Sequence, residues 1–174
     1  SGTVTLTLTT NALSGCSVIS AIKTISVNAA PTINAGGTVT VCQSAIPSAI
    51  TLSGATVGGG ATTGAWSITS GGGTLSNTAQ TASPGTITYT PAANFSGNVT
   101  LTLTTNALTA CSTISATRTI TVNEASIVSA GINQTICSNT TAAMAGSFGG
   151  GASSASWSTS GSGTFNNNTP TAIY

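Results

Sequence analysis

The chain has 174 residues, of which 2% are charged: two Lys or Arg, one Asp or Glu and no His, for a net charge of +1. An average soluble domain is about 25% charged, so proton-transfer catalysis has few of the side chains it draws on. Nucleic acids and anionic membranes need clusters of Lys and Arg, and here Lys23 and Arg118 stand alone, far apart in the sequence.

From the first residues the dominant pattern is period two. Val4, Leu6 and Leu8 alternate with Thr5 and Thr7, which puts apolar side chains on one face of a strand and hydroxyls on the other. The same alternation, bounded by Gly, Asn, Ser or Pro clusters that read as turns, predicts strands over 38–41, 49–53, 64–69, 73–76, 86–90, 99–105 and 115–122. No amphipathic helical stretch occurs. Disorder does not fit a chain that is 39% hydrophobic, and a transmembrane helix would need about 18 or more consecutive apolar residues, whereas every apolar run here is broken within a few positions. About seven strands with opposed apolar faces predict an all-β chain of immunoglobulin-like sandwich modules built from antiparallel sheets.

The chain repeats itself. SGTVTLTLTTNAL from Ser1 returns as SGNVTLTLTTNAL from Ser96, and the same offset carries Cys16 onto Cys111 and Cys42 onto Cys137. VGGGATTGAWS around Trp66 returns as FGGGASSASWS around Trp157, and Tyr174 matches Tyr89. The expected organisation is one complete module over 31–125, preceded by the last hairpin of another (1–30) and followed by the front strands of a third (126–174). The two partial modules are complementary, together lacking only the counterpart of Thr90 to Phe95. Either the chain is a window on a longer continuous array, or it is a pilin-like subunit that completes its neighbour by strand donation. The window is the expectation, since Ser1 opens directly into a strand pattern with no signal peptide or initiator Met.

Trp66 and Trp157 fall on the third strand, where sandwiches commonly bury a Trp. Together with Tyr89 and Tyr174 they are read as core aromatics, not as a ligand platform. Glycine runs at 58–60 and 71–73 lack the strand-loop-helix context and the Lys of a phosphate cradle, and read as loops. Lys23 and Arg118 share one repeat position on the last strand, where a lone cation would guard a strand edge or bridge to a neighbouring module. Glu124 at the module boundary could pair with Arg118 across it.

The ordered landmarks NAGGTVTVC, ITLSGA, GAWS, GGGTLSN, ITYTPAANFSG, VTLTLTTNA and TRTITVN resemble the tandem immunoglobulin-like or PKD-like repeats of large cell-surface adhesins of the Bacteroidota. That resemblance implies a secreted, multi-repeat surface protein of adhesion or gliding, often exported by the type IX route. The chain departs from it in having no Asp, so Ca²⁺ binding or glycan attachment at Asp-containing motifs is not implied.

Cys16, Cys42, Cys111 and Cys137 lack the Cys-x-x-Cys spacing that zinc favours and are read as disulfide candidates in an oxidising, extracellular setting. Two pairings stay open. One is a Cys42–Cys111 bond inside the complete module. The other is a staple between modules, from the first-strand Cys at the foot of one to the hairpin Cys at the head of the next. It answers a difficulty: the first strand's end and the last hairpin's turn should lie at opposite ends of a sandwich, while a disulfide needs Cα atoms within about 7 Å. Asn94, Asn98, Asn133, Asn139 and Asn167 satisfy N-x-S/T, mostly by chance in so Asn- and Thr-rich a chain, and glycans are kept as a partner through the hydroxyl-rich faces.

The expected function is therefore structural: modules of an extracellular filament, stalk or adhesin that associate with copies of themselves through uncharged Thr- and Ser-rich surfaces, with no cofactor, metal, nucleic acid or membrane insertion. An ice- or glycan-binding repeat is the alternative from another class, suggested by the T-x-T runs at 5–9, 86–90 and 100–104.

Overall fold

A computed structural model describes all 174 residues. It is all-β, its only helical element being a single 3-10 turn, Pro84–Thr86. The strands in chain order are β1 (Gly2–Thr9), β2 (Ser20–Val27), β3 (Pro31–Asn34), β4 (Val39–Cys42), β5 (Ile50–Thr51), β6 (Thr56–Gly59), β7 (Gly64–Ser70), β8 (Gly73–Leu75), β9 (Thr88–Pro91), β10 (Gly97–Thr105), β11 (Ser115–Asn123), β12 (Ser126–Ser129) and β13 (Ser147–Gly150).

Residues 31–125 contain β3 to β11 and the hydrophobic core. One sheet runs β4-β11-β10-β7 and a second β5-β9-β8, with β3-β6 as a separate pair. The core lies between the sheets. Leu101 and Leu103 of β10, Ile120 and Val122 of β11 and Trp66 of β7 meet Leu52 and Tyr89 from the opposite sheet in one cluster. The alternation in β10 is what places them, since Val99, Leu101 and Leu103 are 0% exposed while Thr100, Thr102 and Thr104 turn outward. The outward hydroxyls bond one another across strands, Thr69 to Thr102 at 3.1 Å and Thr104 to Ser115 at 2.8 Å.

Two buried polar tips are matched to backbone carbonyls, as buried donors require. Trp66 Nε1 donates to the Pro84 carbonyl at 3.0 Å, which explains why the 3-10 turn sits under the indole. The Tyr89 hydroxyl donates to the Gly72 carbonyl in the β7–β8 turn, and burial raises its pKa above the ordinary phenol value.

The fold departs from the sequence-based expectation in three ways. β3 and β6 were not predicted, because Pro31 and the glycines at 58 and 59 carry no alternation. The sheets are not wholly antiparallel, since β4 runs parallel to β11, with Asn123 opposite Cys42. Arg118 neither guards an edge nor pairs with Glu124. Because β4 covers the outer edge of β11, and residue 118 shares parity with Ile120 and Val122, the guanidinium points inward, 4% exposed. Its Nη1 donates to the Ser53 carbonyl at 2.9 Å, its Nε has no partner, and burial lowers its pKa.

Outside this core the repeated segments have a different fate. The β1–β2 hairpin reproduces β10–β11, with matching strand register and the same cross-strand hydroxyl contact, Thr9 to Ser20 at 2.8 Å. Its inner face is uncovered: Val4, Leu6, Leu8, Ile25 and Val27 are 43–79% exposed, where their counterparts Val99, Leu101, Leu103, Ile120 and Val122 are 0–2% exposed.

Two predictions follow from burial alone. Leu101→Ala should destabilise the chain by about 2–5 kcal/mol, while Leu6→Ala at the same repeat position should cost well under ~1 kcal/mol in dilute solution; urea denaturation followed by tryptophan fluorescence separates them. Tyr89, with its raised folded-state pKa, contributes stability that is fully present below the unfolded phenol pKa of about 10 and is lost as pH rises through the folded value. Tyr89→Phe should therefore cost about 1 kcal/mol near neutrality and flatten the fall in melting temperature above pH ~10.

Candidate functional site: module junctions and the open half-modules

No cluster of His, Cys, Asp or Glu could hold a metal ion, and no helix is long and apolar enough to cross a membrane. The features that repeat with the closest geometry are instead the joints between successive segments. At the first joint, Ala29 and Ala30 pass directly under the glycine run. Gly60 N donates to the Ala30 carbonyl at 3.1 Å, Gly59 has φ +64°, and a Cβ on Gly59 or Gly60 would lie 2.0 or 2.2 Å from the Ala30 or Ala29 carbonyl oxygen. At the second joint, Gly151 N donates to Ala125 at 3.1 Å, Gly150 has φ +60°, and a Cβ on Gly150 or Gly151 would meet the Ala125 or Glu124 carbonyl oxygen at 2.0 or 2.1 Å. The glycine run, read from the sequence as loop, is thus a clamp on the incoming chain that no larger residue could form.

Further contacts fix each joint. From the head side, the turn of the β10–β11 hairpin reaches back to the linker. Asn28 Nδ2 donates to the Thr109 carbonyl at 2.8 Å, and Cys111 Sγ lies 3.9 Å from the Ala29 carbonyl oxygen. From the foot side, Gln43 just after β4 accepts from Ala125 N at 3.0 Å, while its own backbone N donates to the Asn123 carbonyl at 2.7 Å.

All four cysteines are unpaired, and the expected Cys42–Cys111 bond inside the complete module is not formed. The reason is the direction of β11. Cys111 sits beside Ala29 at one end of that strand and Cys42 beside Asn123 at the other, which at ~3.3 Å per residue separates them by roughly 30 Å. Cys16, Cys42 and Cys137 are exposed and Cys111 is half-buried.

The flanking segments share strand register with parts of 31–125. In 126–174, β12 pairs with β13 in the register of β3 with β6, and Trp157 Nε1 donates to the Pro170 carbonyl at 3.0 Å, reproducing the Trp66–Pro84 bond. Trp66 and Tyr89 are buried, at 2% and 0% exposure. Trp157 and Tyr174 are only half-buried, with Phe165 between them at ring-centroid distances of 6.3 and 5.1 Å. A cavity of about 80 Å³ opens beside Trp157, lined by Val128, Ala155 and Pro170 among others. The counterparts of β4 and β7, residues 134–137 and 155–161, form no strand.

No protein-family model, curated protein or solved structure matches the sequence.

The clamp predicts that Gly59→Ala, which is strained by φ and by the Ala30 carbonyl, destabilises the joint by about 1–3 kcal/mol. Gly37→Ala, with nothing within 4 Å of the added Cβ, should be near neutral. Urea denaturation measures the cost, and small-angle scattering should show a broader distribution of end-to-end lengths for Gly59→Ala alone.

Proposed function

We propose that the chain is a structural repeat region of an extracellular filament, surface stalk or adhesin, built of immunoglobulin-like or PKD-like modules joined in series. The observation that carries this reading is the recurrence of one joint, with the same glycine clamp and the same linker carbonyls, at both ends of residues 31–125. A flexible tether between independent domains would use Gly and Ser to swing freely. Here the glycines press the linker against the next segment, which sets a fixed step from module to module.

Composition supports the same reading. With 2% charged residues, and Arg118, one of the two cations, withdrawn into the core, the faces are Thr, Ser, Asn and Gly. Such surfaces pack against copies of themselves without Coulomb repulsion. Cys111, against Ala29 at one joint, and Cys42, beside Asn123 at the other, suit an oxidising compartment in which each would staple its module to a neighbour. Partners are therefore other copies, with glycans as a further class, and a secreted or cell-surface location. No enzymatic role is proposed. The ice-binding alternative is weakened by the shift in β10–β7 register between Thr100 and Leu101, which interrupts the flat Thr rank such a surface needs.

Antibodies raised against the chain should label intact source cells or their culture medium, and external protease should remove the signal without lysis. Signal reached only after lysis would overturn the proposal.

A further inference from the structure

We infer that residues 31–125 bear tension along the array, held shut against an axial pull by the parallel pairing of β4 with β11. The inference rests on the modular reading above and adds a function to it: the module passes a pull from one joint to the other without opening.

The path of a pull follows from where the chain enters and leaves this segment. It enters past Ala29 and Ala30, beside the β10–β11 turn, where Asn28 Nδ2 donates to the Thr109 carbonyl. It leaves through Glu124 and Ala125, beside Gln43. β11 runs from the first joint to the second, so the two attachment points lie at opposite ends of that strand. Tension therefore acts along the strands.

β4 and β11 take this load in opposite senses. Val39, Thr40, Val41 and Cys42 lie opposite Ile120, Thr121, Val122 and Asn123 in parallel register. A pull on the entering chain, passed through β3, drags β4 back toward the first joint, while a pull on the leaving chain drags β11 toward the second. The strands must slide past each other, and every hydrogen bond between them is strained at once. Had they been antiparallel, the start of one would lie beside the end of the other, and the same pull would peel them apart bond by bond. Sliding also meets the side chains, because Val39 and Val41 pack against the cluster that holds Ile120 and Val122. A displaced strand finds no new match until it has moved two residues, about 7 Å.

The neighbouring pairs are loaded in the same way. β3 is held along its length by β6, from Pro31 opposite Gly59 to Asn34 opposite Thr56, and β11 by β10, from Val122 opposite Gly97 to Ser115 opposite Thr104. At the exit, Gln43 extends the ladder beyond Cys42. Its backbone N donates to the Asn123 carbonyl at 2.7 Å, and its side-chain Oε1 accepts from Ala125 N at 3.0 Å. Since the Gln43 N–H faces β11, alternation turns the Val41 N–H toward β11 as well and the Thr40 N–H away from it.

Single-molecule force spectroscopy tests this on the full chain, with Cys16, Cys111 and Cys137 replaced by Ser. Handles at Ser1 and Tyr174 load 31–125 in shear. Handles at Tyr174 and the exposed Cys42 thiol apply force at Cys42 and Ala125, which share one end of the segment, and peel β4 from β11. At ~3.4 Å per residue, opening lengthens the chain by about 300 Å in the first arrangement and about 280 Å in the second. Four register pairs yield together in one case and in turn in the other, so the first rupture force should be at least about twofold higher at equal loading rate. Both arrangements use one protein with one thermodynamic stability, so the ratio reports direction alone. Val41→Pro, which deletes a bond to β11, should bring the first force down toward the second, and Thr40→Pro, whose lost N–H faces away, should leave it high. The comparison of directions needs neither variant to fold. A first force no higher than the second would overturn the inference and leave the filament reading standing, since joints can recur without bearing tension. A twofold ratio, together with antibody label reached only after lysis, would overturn the filament reading and keep the shear-resistant pair.

Discussion

A β-hairpin with one apolar face is at best marginally stable in water until something covers that face, and the rest of this structure depends on whether the cover is present. Nearly the same segment occurs twice. At 96–123 it lies between two flanking strands and over a second sheet, and its leucines and valines vanish from the surface. At 1–28 it keeps its register and its hydroxyl ladder but shows its apolar face to solvent. The local information is thus sufficient for the hairpin and insufficient for the core. Each buried side chain of this kind contributes about 1.5–3 kcal/mol, and the five at 1–28, at 43–79% exposure, leave much of that contribution unrealised.

The glycine clamp converts that core into a step along an axis. Because the Ala29–Ala30 and Glu124–Ala125 linkers run against glycines whose missing Cβ is the space they occupy, the orientation of each segment is tied to the sheet that precedes it. Gln43 and Asn28 add hydrogen bonds from the foot of one segment and toward the head of the next. Rigidity at the joint and hydrophobic closure within the module are separate devices, placed at different positions of the same repeat.

Much of the fold was legible in the sequence, and the exceptions have physical causes. Period two marked the long strands, because one face of each is buried and the other wet. β3 and β6 escaped since Pro31, Gly58 and Gly59 are chosen for backbone approach, a requirement that leaves no hydropathy signal. Arg118 carries two opposed signals, a charge that suits an edge and a parity with Ile120 and Val122 that points inward; alternation prevails because a carbonyl, that of Ser53, accepts a hydrogen bond from the buried guanidinium. The joint was the least legible part. Its glycines read as loop, whereas the places of Cys42 and Cys111 at opposite ends follow from strand order in a sandwich, and the pairing of β4 with β11 bears that out.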